Sequence, residues 1–274
     1  ERVTTMFLVP TLYHDLVHHP RVRSYDLSSL SKLGYAGMSM TDALSAACME
    51  VFDPDLWVNL YGSSEIYTFS CCDYLDRKPG CAGRAGVNQA LRVVRADPGA
   101  GVSPDDRMAP GESGEVIASL TSPEAFKGYW KRPDADARAL RDGWYFTGDL
   151  GMFDDDGDLY LQGRVDDMVI SGGENIHPEE VENVLSHCPL VRKVAVAGVP
   201  DDRLGAKVIA FVEPTSGDVT AAQLDAYCAS STLARFKRPR EYVFVEKIPQ
   251  SAVGKILRRE LRAGNYQLLK EGSK

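Results

Sequence analysis

Residues 163–178 read Gly-Arg-Val-Asp-Asp-Met-Val-Ile-Ser-Gly-Gly-Glu-Asn-Ile-His-Pro, and the rest of the chain is arranged to either side of them. A cation, Arg164, and two carboxylates, Asp166 and Asp167, precede the apolar run Met168-Val169-Ile170. That order reads as a joint followed by a strand and a turn. Gly172 and Gly173 permit backbone geometry, or close approach of a ligand, that a Cβ would forbid. Pro178 starts a helix, with Glu179, Glu180 and Glu182 at its positive end. On these residues alone, an ordinary linker between domains is the other reading of the joint.

Before the joint, residues 1–74 alternate strand-like and helix-like segments. Val3 to Val9 reads as a strand, Thr11 to His18 as a helix and Leu33 to Gly37 as a strand. Thr41 to Phe52 reads as a helix capped by Thr41 or Ser39, and Trp57 to Leu60 as a strand. This is an α/β pattern with a parallel sheet. Ligands of such sheets sit at the carboxyl ends of strands, which directs attention to Gly37-Met38-Ser39 and Tyr61-Gly62-Ser63-Ser64-Glu65.

Residues 75–165 change character. Short runs at Leu91 to Val94, Glu115 to Leu120, Leu150 to Phe153 and Leu159 to Gln162 alternate with Gly, Pro and Asp, as in an antiparallel or β-barrel-like subdomain. Asp154-Asp155-Asp156-Gly157-Asp158 opens like a calcium loop but lacks the closing Glu, so it reads as a hairpin turn at Asp156-Gly157. Asp97 to Gly114 reads as an exposed loop whose Gly99-Ala100-Gly101 does not lead from a strand into a helix and is no dinucleotide fingerprint. Residues 166–274 read as a small α+β unit. Its helices are Glu179 to Ser186 and Thr220 to Ala229, and its strands Val191 to Gly198, Ala206 to Glu213 and Tyr242 to Glu246. A loop from Pro249 to Gly254 leads into a helix around Lys255 to Arg262.

Composition bounds the function. The chain has 274 residues, 44% apolar and 26% charged, as globular proteins do. A net charge of −8 argues against a general nucleic-acid or anionic-membrane surface. No apolar run approaches the roughly 18 residues of a membrane span, and the start has no signal-peptide plan, so the expected location is cytoplasmic. Cys48, Cys71, Cys72, Cys81, Cys188 and Cys228 form no CxxC pair and read as reduced, structural thiols. His14 and His18, four apart, lack partners at ligand spacing and read as a surface helix. The chain opens at Glu1 directly in a strand-like run without an initiating Met, which reads as a fragment.

Three short motifs carry chemistry. In Tyr61-Gly62-Ser63-Ser64-Glu65, hydroxyls at a turn can bond phosphate oxygens and a neighbouring Glu can hold Mg²⁺, although a Ser-Ser-Glu helix cap looks the same. Gly143-Trp144-Tyr145-Phe146-Thr147-Gly148-Asp149 sets a carboxylate directly after an aromatic strand, where it can accept hydrogen bonds from the vicinal hydroxyls of a ribose or simply end the strand. Pro249-Gln250-Ser251-Ala252-Val253-Gly254-Lys255 places one ammonium on a short loop, able to meet charge developing at phosphorus or to stay solvated.

In that order and at those separations, YGSSE, GWYFTGD, GRVDDMVISGGENIHPEEVE and PQSAVGKILRREL resemble the adenylate-forming superfamily of AMP-forming acyl- and aryl-CoA synthetases, luciferases and peptide-synthetase adenylation domains. SGGENIHP, FKRPR and ERVTTMFLVPT look closest to its 4-chlorobenzoate–CoA ligase branch. The resemblance covers the whole chain. It implies that residues 1–165 are the C-terminal part of a large adenylation domain and that residues 166–274 are a small mobile domain. It implies an ATP-dependent acid–CoA ligase: a carboxylate attacks ATP to give acyl-AMP and pyrophosphate, the small domain rotates, and the CoA thiol displaces AMP.

By the same resemblance Gly37, Met38, Ser39 and Tyr61 flank adenine, with Gly62 and Ser63 completing the nucleotide loop. Ser64 contacts phosphate, Glu65 binds Mg²⁺, Asp149 and Arg164 hold the ribose, and Lys255 stabilises the first transition state. Asp166 is the hinge, and Gly172 and Gly173 line the pantetheine passage. Arg203, Phe236, Arg238 and Arg240 receive the CoA nucleotide, although Leu204 stands where the chlorobenzoate branch has an aromatic residue. Phe7, Ala36, Leu60, Gly62, Tyr67 and Thr68 contribute to an acyl pocket suited to an aromatic or other compact acid. The implied partners are a small carboxylic acid, ATP and CoA, with no nucleic acid and no membrane. The oligomeric state stays open, a homo-oligomer included. The family's Gly-, Ser- and Thr-rich phosphate loop does not occur in the 274 residues, so the chain alone is expected not to adenylate an acid. The alternatives are a carrier-protein-dependent adenylation domain, a fatty acyl-CoA synthetase, and a non-catalytic module of a split enzyme.

Overall fold

The computed structural model describes residues 1–96, 101–252 and 254–269. The Gly99-Ala100 part of the glycine-rich loop and Val253 lie outside the described residues. The chain divides into two units, Glu1–Val165 and Asp166–Lys274.

Unit 1 opens with β1 (Thr5–Leu8), α1 (Pro10–Val17), β2 (Lys32–Ala36), α2 (Asp42–Phe52) and β3 (Leu56–Tyr61). Proline begins α1, where its missing N–H costs nothing. Thr41 caps α2, its hydroxyl accepting the Leu44 N–H at 3.3 Å. The three strands pair in parallel. Tyr13, Leu33, Tyr35, Phe52 and Trp57 form the core under the two helices. The fully buried Tyr13 sets its hydroxyl 3.1 Å from the Met6 carbonyl and 3.0 Å from that of Gly34, which ties α1 to β1 and β2.

The chain continues through β4 (Ser70–Cys72), β5 (Cys81–Ala85), β6 (Leu91–Val94), β7 (Gly114–Ser119), α3 (Pro133–Ala139), β8 (Leu140–Arg141), β9 (Trp144–Phe153) and β10 (Leu159–Arg164). Pairing among these strands is antiparallel. They extend the first sheet in the order β1-β2-β3-β4-β5-β10-β9-β7-β6, with β8 beside β9. Strands β4, β5 and β8 and helix α3 have no signal in the sequence, because each is short and lacks a clear period. Asp154 to Asp158 forms the turn between β9 and β10, with Gly157 at φ +81°. The carboxylates of Asp154, Asp156 and Asp158 converge on the Lys78 ammonium at 2.7, 2.7 and 2.5 Å. The calcium-like spacing is thus matched by a cation that the chain itself supplies.

Unit 2 contains β11 (Val169–Ser171), β12 (Glu174–Ile176), α4 (Pro178–Ser186), β13 (Val191–Asp201), β14 (Gly205–Pro214), α5 (Ala221–Ser230), β15 (Glu241–Phe244) and α6 (Arg258–Arg262). Gly172 and Gly173, at φ +61° and +88°, make the two-residue turn of the β11–β12 hairpin, a conformation that favours glycine at both positions. Strands β13, β14 and β15 form one sheet. Alternation along β13 and β14 supplies two cores: Val196, Val208, Ala210 and Val212 face one cluster with Val181, Leu185 and Leu224, and Ala195, Ala197, Ile209 and Phe211 face the other with Val245, Ile248 and Leu261.

A buried charge network joins α4, β13 and α6. Arg258 Nη2 donates to both Glu182 oxygens at 2.8 Å and lies 3.0 Å from Glu179 Oε1. Its Nε–H donates to the Val196 carbonyl at 3.0 Å, and its Nη1 lies 3.5 Å from Asp167, which also pairs with Arg262 at 2.8 Å. Glu179 Oε2 is buried without a hydrogen-bond partner. Burial pushes the Glu179 carboxyl up to about 7 against the pull of Arg258, with Glu182 and Asp167 adding repulsion. Because the folded value lies above the ordinary 4.5, the folded unit holds a proton that the unfolded chain releases between those two values. Unit 2 is therefore expected to lose stability as pH rises from about 4.5 through 7. Glu179→Gln should flatten that dependence, read as amide-exchange protection of β13 and β14 at pH 5 and pH 8. An unchanged slope in the variant would refute the assignment.

Candidate functional site

At the end of β3, alternation buries Trp57, Asn59 and Tyr61. The Tyr61 hydroxyl donates to Asp149 Oδ2 at 2.7 Å, and Arg164 Nη1 donates to Asp149 Oδ1 at 2.7 Å and to the Thr147 carbonyl at 3.1 Å. Each Asp149 oxygen thus has one fixed neighbour and keeps acceptor capacity for a hydroxyl. Burial and the Asp149 charge push the Tyr61 phenol well up, so it remains a proton donor. Tyr61, Asp149 and Arg164, which stand in three separate sequence motifs, form one cluster.

Asp149 does not end its strand. Strand β9 runs on to Phe153, and Asp149 lies in a bulge within it. The β7 pairing jumps from Glu115–Leu150 to Ile117–Phe146, while on the other side Asp149 stays paired with Arg164 of β10. Gly148, at φ +71°, allows the distortion, and a Cβ there would stand 2.8 Å from Arg164 Nη2. Glycine inside a strand pattern marks a bulge as readily as an end, and here it re-aims a carboxylate.

No helix follows Ser63, so the Ser-Ser-Glu segment is a turn and not a helix cap. The Ser63 N–H donates to the Ile66 carbonyl at 3.0 Å, and the Ser63 hydroxyl accepts the Glu65 N–H at 3.1 Å. Gly62 is required: a Cβ would lie 1.8 Å from the Tyr67 carbonyl oxygen. Ser64 is exposed. The Tyr129 hydroxyl donates to Glu65 Oε1 at 2.7 Å. Burial raises the Glu65 carboxyl, but hydrogen bonds from Tyr129 and Ser63 outweigh it and hold the group below the usual range. An anionic, half-buried carboxylate in a serine-rich turn fits Mg²⁺, which is commonly held by one or two carboxylates together with substrate phosphates.

Gly37, at φ +88°, Met38 and Ser39 leave the carboxyl end of β2. Ala36 and Leu60 are paired neighbours in β2 and β3. Phe7 lies across Gly34, where a Cβ would meet its ring at 2.5 Å. Phe7 and Tyr67 are 50% and 77% exposed, so both rings present accessible surface in this unit. Thr68 donates its N–H to Glu124 at 2.9 Å.

In unit 2 the helix expected around Lys255 begins only at Arg258. A Gln250–Ile256 bridge and the Ser251 N–H bond to the Lys255 carbonyl (2.8 Å) draw the preceding residues into a tight loop that presents an exposed Lys255. Arg203 sits in the β13–β14 turn, where Asp201 Oδ1 accepts its N–H at 3.0 Å. The Gly172 N–H donates to the neighbouring Leu204 carbonyl at 2.8 Å. Arg240 is exposed just before β15, with its N–H bonded to the Val208 carbonyl. Phe236 is exposed on a 3₁₀ turn, whereas Arg238 is half-buried, reaching the Ala229 carbonyl at 3.5 Å. Asp166 is the first residue of this unit and is exposed.

Sequence reasoning missed Tyr129, Thr147 and Glu115. Tyr129 reaches Glu65 across 64 positions, and Glu115 accepts the Gly148 N–H at 3.0 Å across 33. No local period links residues so far apart. Among the described residues, no helix is long and apolar enough to cross a membrane.

Two family models match the chain: AMP-binding enzyme over residues 1–130 and AMP-binding enzyme C-terminal domain over residues 180–255. A long-chain-fatty-acid–CoA ligase of Bacillus subtilis (strain 168) is 38% identical over 258 residues, 92% of this chain and 44% of the relative. A feruloyl-CoA synthase of an Amycolatopsis species is 41% identical, over 96% of this chain and 52% of the relative. A 4-chlorobenzoate–CoA ligase of an Arthrobacter species is 34% identical, over 95% and 48%. The crystal structure of ATP-bound MatB from Rhodopseudomonas palustris superposes with a TM-score of 0.86 at 29% identity, over 96% of this chain and 51% of that one. The chain spans about half the length of the curated relatives it matches. The two family models match in chain order, nearly all of this chain is superposed on about half of the solved relative, and the chain belongs to the AMP-binding enzymes, the adenylate-forming superfamily.

Proposed function

We propose that this chain is part of an ATP-dependent acid–CoA ligase that converts a carboxylic acid to acyl-AMP and then to acyl-CoA. The observation that carries the reading is the Tyr61–Asp149–Arg164 cluster, a doubly oriented carboxylate beside a partly exposed guanidinium. Asp149 and Arg164 bind the ribose hydroxyls, Gly37, Met38, Ser39 and Tyr61 flank the base, and Ser63 and Ser64 meet phosphate. Glu65 holds Mg²⁺, which neutralises phosphate charge when bound. Lys255 faces the charge that develops during displacement at the α-phosphate, a reaction that depends on positioning and charge neutralisation more than on covalent chemistry. Residues 1–165 serve as adenylation-domain scaffold and residues 166–274 as a mobile domain turning at Asp166, which lets one site serve two half-reactions. Gly172, Gly173, Arg203, Phe236, Arg238 and Arg240 receive CoA.

Phe7 and Tyr67 beside Ala36, Leu60, Gly62 and Thr68 favour an aromatic or other compact acid. In the full-length protein that carries this chain, thioester formation should be fastest with benzoates, halobenzoates and related aryl acids. Preference for fatty acids beyond about eight carbons would reject the pocket assignment, and absence of AMP as product would reject the reaction class.

A further inference from the structure

The Thr147-Gly148-Asp149 bulge leaves the β7 ladder, although Asp149 stays paired with Arg164 of β10, and each backbone group freed on the β7 side needs another partner. The Asp149 N–H finds the Thr147 hydroxyl at 3.0 Å, and that hydroxyl donates to the Val116 carbonyl at 2.7 Å. The Gly148 N–H finds Glu115 Oε1 at 3.0 Å. Glu115 sits at the start of β7, directly before the register shift, and faces the charges of Arg141, Asp149 and Arg164. Arg141 is itself held in place, its guanidinium stacked 3.4 Å from the Phe146 ring centroid. A half-buried acidic side chain at this point of a sheet costs desolvation that an apolar residue would avoid. Burial does push the Glu115 carboxyl up, against the pull of the Gly148 amide and Arg141.

We propose that Glu115 is a positioning residue of the nucleotide site: by accepting the Gly148 N–H it holds the bulge that aims the Asp149 carboxylate at Tyr61, Arg164 and a ribose. The proposal rests on the reading of Asp149 as the ribose-binding carboxylate. It requires only an acceptor oxygen at the length of a glutamate side chain, so the amide of glutamine can take its place. Alanine has no acceptor, and aspartate is one methylene too short.

The test measures competition by AMP and by 2′,3′-dideoxy-AMP in the full-length protein that carries this chain. The wild type should prefer AMP by about 10-fold, the worth of one to two net hydrogen bonds. Asp149→Ala should abolish that preference. Glu115→Ala and Glu115→Asp should bring it close to unity, and Glu115→Gln should keep it within about 2-fold of wild type. Glu115→Asp keeps charge and polarity and serves if the alanine variant fails to fold, as judged by circular dichroism. If Asp149→Ala leaves the preference intact, the ribose reading fails and the Glu115 proposal with it. If Asp149→Ala abolishes the preference while Glu115→Ala and Glu115→Asp retain it, the Glu115 proposal alone fails. It fails equally if both variants weaken the two nucleotides in parallel, which is what a purely structural role would do, or if glutamine does not rescue.

Discussion

Replacing Lys255 by alanine in the full-length protein is expected to slow acyl-adenylate formation by about 10²- to 10³-fold, the usual cost of removing one group aimed at developing charge. Thioester formation from synthetic acyl-AMP and CoA should change only a few-fold, because no charge builds at the α-phosphate in a pentavalent displacement during that step. The structural basis is local. Gly254, at φ +81°, and the Gln250–Ile256 bridge close a tight loop, the Leu257 N–H ties it to the Pro249 carbonyl at 2.9 Å, and Lys255 stands exposed on it. Among the described residues, no carboxylate pairs with its ammonium, so the charge is available to a ligand. Pyrophosphate exchange and thioester formation measured separately decide the matter, and equal losses in both would remove Lys255 from its proposed role.

Arg258 should matter more to stability than to chemistry. Its guanidinium is 11% exposed and answers three carboxylates, Glu182, Glu179 and Asp167. Arg258→Met leaves the Glu182 and Asp167 carboxylates and the partly protonated Glu179 close together, with Arg262 still paired to Asp167. Breaking a buried ion pair by removing one partner typically costs about 3–5 kcal/mol, because the remaining charge stays buried. Urea unfolding of unit 2, followed by amide exchange in β13 and β14, should show a loss of that order. Adding Glu182→Gln to Arg258→Met should recover part of it, because it removes one of the stranded charges. A single-variant loss below about 0.5 kcal/mol, the range of an ordinary surface substitution, would mean that the network carries little of the stability of the unit.

Much of the element order was legible because it is written in local periods and caps. Val3 to Val9 contains β1, the Thr41 cap opens α2 one residue later, Pro178 begins α4, and the paired glycines at 172 and 173 turn a hairpin. The segments that escaped reading were short, as β4, β5, β8 and α3 are, or were interrupted by glycine, as β9 is at Gly148. The start of α6 was misplaced because the cross-loop bridge at Gln250–Ile256 outweighs the local helical pattern around Lys255.

By itself the sequence determined which residue types stand where: the β/α alternation, the hydroxyl-rich turn before Glu65, the glycine before Asp149 and the lone ammonium of Lys255. These follow from side-chain period, turn chemistry and charge, all properties of neighbouring residues. Only the tertiary structure decided what each of them touches. Tyr61 meets Asp149 across 88 positions, Tyr129 meets Glu65 across 64, Arg258 meets Glu182 across 76, and Lys78 fills a carboxylate turn that resembled a calcium loop. Such pairings arise when strand register and bulges bring distant backbone together, and a hydrogen bond then selects partners by distance in space, to which position along the chain is no guide.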